Sequence, residues 1–117
     1  MKKIKIKRIY DDPSDDDGYR VLVDRLWPRG VSKKKANLDA WNKEVTPSPE
    51  LRKWFDHKKD RFEEFSYRYR EELIKKENEL NELRNIAENE TVCLLYAAKS
   101  PVINHAVVLS DVLLQDG

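Results

Sequence analysis

Little in this sequence can staple, anchor or cradle. It has one cysteine, Cys93, in 117 residues, so no intrachain disulfide can form. A chain without a disulfide framework suits a reducing cytosol, and a cytoplasmic setting is expected. No apolar run approaches the roughly 18 residues that a membrane span needs, so no membrane partner is expected. The N-terminal MKKIKIKRIY has no long apolar stretch behind its lysines, which argues against a secretory signal. Glycine is scarce, at three residues. No Gly-rich phosphate loop, dinucleotide fingerprint or serine elbow is present, and no cofactor is expected. The two histidines, His57 and His105, stand in no metal-ligand spacing. A zinc site would have to recruit carboxylates or a second chain, and no metal is expected.

An excess of one charge is missing too. The formal net charge is +1, without the clear basic excess that holds a protein on nucleic acid. Charge of both signs is abundant instead: 38% of residues are charged and 39% hydrophobic. That composition describes a compact core under a heavily charged surface. The length fits a single domain over residues 1–117.

Ile4, Ile6 and Tyr10 alternate with Lys3, Lys5 and Lys7 across residues 2–10. Period two predicts a half-buried strand, and the lysines suit a sheet edge. Asp11 to Gly18 is acidic and turn-rich, and reads as a solvated connector. It lacks the ligand spacing and closing glutamate of an EF-hand. Tyr19 to Leu26 holds the run Val21, Leu22, Val23, which predicts a strand covered on both faces. Trp27-Pro28-Arg29-Gly30 then forces a turn. Ser32 is placed to cap a short helix through Lys33 to Ala36. Ser48-Pro49 marks a further helix start. That helix should carry Leu51, Trp54 and Phe55 and break near Asp56-His57.

A longer helix is expected from about Lys59, with Phe62, Phe65, Tyr69 and Leu73 as its buried stripe. Glu71/Lys75 and Glu72/Lys76 support a solvent-facing side. Leu80, Leu83, Ile86 and Ala87 continue the helical pattern. Thr91 to Ala98 is the second buried-strand candidate. Asn104 can cap a last helix carrying Ala106, Val107, Leu109, Val112 and Leu113, and the final residues are expected to fray. Strands separated by helices predict an α/β fold: a small, mostly parallel sheet with helices packed over it. The connection through the acidic loop is short for a parallel crossover, so the first strand is a candidate antiparallel strand.

In such a sheet, ligands bind outside the carboxyl ends of the strands. One end is Asp24 to Gly30. The other is Lys99 to His105, which leads into a helix N-terminus that favours an anion. Arg25 and Arg29 each offer a fork of donors to a phosphate or carboxylate. Trp27, Lys99 and Asn104 complete the candidate ligand-binding set. Asp24, His57 and His105 are the candidate acid–base groups. Each has a plainer alternative: ion pairing for Asp24 and Arg25, covering the sheet end for Trp27, capping or loop anchoring for His57. Cys93 lies in a strand interior, where a buried thiol is inert.

RVLVDRLWPRG (20–30), LRKWFDHKKDRFEEFSYRYREEL (51–73) and LLYAAKSPVINHAVVL (94–109) occur together in this order. They resemble the YeaO-like proteins of domain-of-unknown-function family 488 over nearly the whole chain. The resemblance implies a compact α/β fold of bacterial cytoplasmic proteins, with no established reaction. It carries over Asp24, Arg25, Trp27, Pro28, Arg29 and Gly30; Trp54, Phe55 and His57; Arg61, Phe65 and Tyr69; and Asn104 and His105. Other branches of the wider family place a Cys-His-Arg-like segment where Asn104-His105-Ala106 stands here, so a thiol mechanism is not carried over. Phe62 stands where tryptophan is usual.

Three functional readings follow. The first is a binding site for a small anionic ligand, possessed by an enzyme or a sensor. The second is a nucleic-acid-associated module that uses Arg, Lys and Trp. The third is a protein-interaction domain without catalysis, which an exposed apolar patch would favour.

Overall fold

The computed structural model describes residues 3–115. The expected start of the first strand at residue 2 and the expected fraying of the last residues reach outside them. The strands are β1 (Ile4–Arg8), β2 (Tyr19–Leu22), β3 (Ala40–Trp41) and β4 (Val92–Tyr96). They form one sheet in the order β1-β4-β2-β3, with every pair parallel. The helices are α1 (Lys33–Ala36), α2 (Pro49–Phe55), α3 (Phe62–Leu73), α4 (Glu77–Asn89) and α5 (His105–Leu114). This is the expected small α/β fold.

β4 is the hub. Val92 stands opposite both Ile4 and Tyr19, and Leu94 opposite both Ile6 and Val21. Paired on both edges and covered on both faces, all of β4 is buried, which its apolar sequence suits. β1 lies at the edge, as its lysines indicate. Its direction differs from the antiparallel alternative. Residues 9–18 carry the chain back past β4 to start β2 parallel to β1. Ten extended residues reach roughly 33 Å, while a strand of five spans only about 17 Å, so no crossover helix is needed.

Side chains alternate between two faces. One face carries Ile4, Ile6, Val21, Val23, Val92, Leu94 and Tyr96. It packs against Leu51 and Phe55 of α2, Phe65, Tyr69 and Leu73 of α3, Leu80, Leu83 and Ala87 of α4, and Leu109 and Leu113 of α5. The aromatic stripe of α3 lies inward as its spacing predicts, and the Phe55 and Phe65 rings stack 4.2 Å apart. Ser48 caps α2 by accepting from Leu51 N, and the Glu72 carboxylate accepts from both Ser48 N and Ser48 Oγ. Buried Arg84 donates to the carbonyls of Val112, Leu113 and Gln115, and so satisfies the end of α5.

The opposite face is built differently. Ile9, Leu22, Val31, Ala36, Cys93 and Leu95 make a small apolar cluster. Beside it lies an ionic one. The acidic loop is not merely a solvated connector: Asp15–Asp17 form a 3₁₀ turn capped by Ser14, and Asp17 is completely buried. The Asp17 carboxylate accepts from Lys5 Nζ at 2.7 Å, Lys7 Nζ at 3.1 Å and Arg20 Nη1 at 2.5 Å. It also accepts from Ser14 N. Lys5, Lys7 and Arg20 stand on strands flanking Cys93, and Asp17 lies among them. Burial opposes the charge of Asp17, but these donors outweigh it and hold its carboxyl well below the usual carboxylate range. Arg20 also donates to the carbonyls of Ala36 and Asn37, which ends α1 and ties it to the sheet.

Candidate functional site

Two short segments continue the ladder beyond β2 and β4. Val23 N donates to Leu95 O at 3.0 Å, and Ala97 N donates to Asp24 Oδ2 at 2.9 Å. Asp24 therefore clamps the carboxyl ends of the two central strands together. The turn after β2 is held by its tryptophan: Trp27 Nε1 donates to Val31 O at 2.7 Å, and its ring meets Trp41 edge-on at 5.4 Å. Trp41 Nε1 donates in turn to Asp24 O. Tyr10 Oη donates to Arg29 O, and Gly30 supplies a φ of 78°. The backbone at Arg29 is fixed while its side chain stays exposed.

After β4, Ser100 Oγ accepts from Ile103 N, and the buried Asn104 caps α5 by accepting from Val107 N at 3.1 Å. Asn104 Nδ2 donates to Ser100 O, so both ends of its amide are engaged. The first residue of α5 is His105. Its Nε2 lies 2.7 Å from Val23 O and 3.0 Å from Asp24 Oδ1. Both neighbours are acceptors, so Nε2 carries the proton. That proton is directed at the carbonyl. Asp24 Oδ1 stays within charge-contact distance but has no aligned hydrogen bond, although it is buried.

These segments enclose a cavity of about 680 Å³ at the carboxyl ends of β2 and β4. Asp24, Trp27, Arg29, His57, Lys99, Asn104 and His105 all line it. His57 arrives from the chain break after α2, where Asp56 and His57 take φ values of 49° and 54°. Arg25 does not join them. It lines a second cavity of about 610 Å³ with Lys43, Glu44, Glu72 and Lys76, and its Nη2 reaches Pro47 O only at 3.5 Å. Consecutive residues leaving a strand diverge, so Asp24 and Arg25 serve different cavities. The expected grouping of Arg25 with Arg29 and His105 is corrected on that ground.

Sequence reasoning missed Arg52, Leu26, Phe55, Phe65 and Ile103 as lining residues. Arg52 lies on the exposed side of α2, where no periodicity distinguishes a cavity-facing cation from a solvated one. Three cations, Arg29, Arg52 and Lys99, line the cavity against the single carboxylate of Asp24. No group of three His, Cys, Asp or Glu among the described residues could hold a metal ion. Burial pushes the Cys93 thiol up to about 11, and the residue lies on the strand interior away from this cavity. No helix among the described residues is long and apolar enough to cross a membrane.

Comparison with known proteins identifies the family. A profile described as the inactive DUF488-N3 subclade matches residues 3–116. The chain is 48% identical over 108 residues to the uncharacterized protein YeaO of Escherichia coli K12, covering 92% of this chain and 94% of that one. It is 41% identical over 111 residues to the uncharacterized protein Rv3073c of Mycobacterium tuberculosis H37Rv, covering 95% and 93%. No solved structure matches the chain. With a profile spanning almost its full length and near-complete coverage of these relatives, the chain belongs to the DUF488 family, as a YeaO-like protein.

Proposed function

We propose that the cavity at the carboxyl ends of β2 and β4 binds a small anion, a phosphate- or carboxylate-bearing molecule, without turning it over. The observation that carries this reading is the charge of the lining: Arg29, Arg52 and Lys99 face one carboxylate, and that carboxylate is already engaged by Ala97 N. The first turn of α5 adds its dipole at the same place. Binding without turnover is supported by the description of the matching family as an inactive subclade. The side chains agree with it. Asn104 is spent on capping, Ser100 accepts from backbone N–H groups, and His105 Nε2 is tied to a carbonyl. On this reading Asp24 and His105 hold the strand ends in place, His57 stands at the mouth, and none of the three is a catalytic residue. A cytoplasmic setting belongs to the same reading, supported by a fold that has one thiol, buried, and no disulfide.

The nucleic-acid alternative finds less support. Trp54 is half-buried against the core and already carries the guanidinium of Arg68 over its ring at 4.5 Å and that of Arg61 at 5.4 Å. The test of the anion reading is titration calorimetry of the full chain with inorganic phosphate, for the parent and for Arg29→Ala. The parent should bind, and the variant should lose about tenfold in affinity, the worth of one charge-assisted hydrogen bond. Equal affinity in the two proteins would end the assignment of Arg29 to the site.

A further inference from the structure

Building on the anion reading, we infer that the ligand is an amphipathic organic anion, with an apolar ring-sized body and one anionic group, rather than a bare inorganic ion. The cavity's cations differ in exposure from its large apolar lining residues other than Leu26. Its cations, Arg29, Arg52 and Lys99, are all exposed, which sets them at the mouth. Deeper in, Phe55, Phe65, Pro28 and Pro47 are buried and Ile103 is half-buried, an apolar part of the base beside the already engaged Asp24, Asn104 and His105. A bare phosphate held by the mouth cations would leave that base unfilled. The volume of about 680 Å³ falls within the range of pockets that enclose organic ligands, roughly 300–1,000 Å³. Leu26 adds a large apolar side chain, 66% exposed, at the rim. An exposed leucine beside exposed cations on one cavity suits a molecule that presents both kinds of surface. The half-buried Trp27 adds an aromatic ring to the lining, which favours a flat body.

The experiment compares three probes by calorimetry on the full chain: inorganic phosphate, phenyl phosphate and phenol. Phenyl phosphate should bind at least about tenfold more tightly than either of the others, since burying a ring and engaging the charge each contribute. Leu26→Ser, whose exposed position spares the fold, should weaken phenyl phosphate about threefold and leave inorganic phosphate unchanged. Its melting temperature should match the parent's. Inorganic phosphate binding as tightly as phenyl phosphate would overturn the inference and leave the anion reading standing. Phenol binding as tightly as phenyl phosphate would overturn the anion reading. Binding of none of the three would overturn both. A Leu26→Ser variant that keeps full affinity for phenyl phosphate, or loses affinity for both anions alike, would also count against the inference.

Discussion

The two faces of the sheet solve the same problem with different chemistry. The helix-covered face is closed by large apolar side chains from four helices, with Phe65 and Tyr69 at its centre. The opposite face has one four-residue helix and a loop to cover it, too little apolar surface to close by packing alone. There a single buried carboxylate gathers Lys5, Lys7 and Arg20. The first arrangement tolerates adjustment, because dispersion and area burial are non-directional. The second depends on one partner being present and charged, because removing it leaves the buried Arg20 uncompensated.

The largest expected effect lies on the packed face. Phe65→Ala should cost about 3–5 kcal/mol in a denaturant melt, as full truncation of a buried aromatic does. A loss below about 1 kcal/mol would mean that this face repacks far more freely than its stacked rings suggest. Next comes the ionic face. Asp17→Asn should cost about 3 kcal/mol, since Arg20 stays buried without its counter-charge. It also has a pH signature. The folded carboxyl titrates below its unfolded value of about 4, so its contribution is complete above that pH and is lost as pH falls through the folded value. The parent's melting temperature should drop in that acid range, and Asp17→Asn should lose that part of the dependence. Parallel curves for the two proteins would remove Asp17 from the account of this face.

Gly18 fixes the loop that delivers Asp17. Its φ is +68°, and a Cβ there would lie 2.3 Å from Thr91 O. Gly18→Ala should cost about 2–3 kcal/mol by thermal melt. Gly30→Ala should cost only about 1, because at φ +78° strain acts alone and nothing lies within 4 Å. Equal costs would show that the loop moves away from Thr91 freely. A similarly small effect is expected at Cys93→Ser, about 1–2 kcal/mol for a hydroxyl placed in the apolar part of the ionic face. With its pKa at about 11, Cys93 in the native protein should react with a thiol reagent only as fast as the protein opens. Rapid labelling under native conditions would contradict its burial.

The contrast explains what could be read from residues alone. Phe62, Phe65, Tyr69 and Leu73 repeat at helical spacing, and Val21 to Val23 and Val92 to Tyr96 are continuous apolar runs, so the packed face and the central strands were legible. The caps at Ser32, Ser48 and Asn104 were legible for a local reason, since each bonds within three residues of itself. The ionic face was not. Asp17 sits among four other aspartates of the same loop, and only the return of the chain past β4 separates the buried one from the solvated ones. β3 is two residues long, too short for any period to register. At the cavity, Asp24, Trp27, Arg29 and His105 were found because strand ends are predictable. Arg52 and Leu26 were missed because their role depends on which cavity an exposed side chain adjoins. Arg25 was grouped wrongly because sequence adjacency to Asp24 says nothing of divergence across a strand.

The place of β4 has a consequence for biosynthesis. β1 and β2 have no hydrogen bonds to each other as strands; each is paired to β4, which begins at Val92. A ribosome making this chain releases both early strands long before their common partner exists. Until residues 92–96 emerge, Ile4 and Ile6 have no ladder to join, Val21 and Leu22 have only the two-residue β3, and the helices have no complete sheet to cover. The nascent chain therefore carries incompletely paired strand-forming segments until β4 is made, and closure of the sheet waits for residues 92–96. A chain interrupted before Val92 lacks the strand that holds the sheet together, and the lysines of β1 then serve a second purpose, keeping an orphaned edge from pairing with another copy.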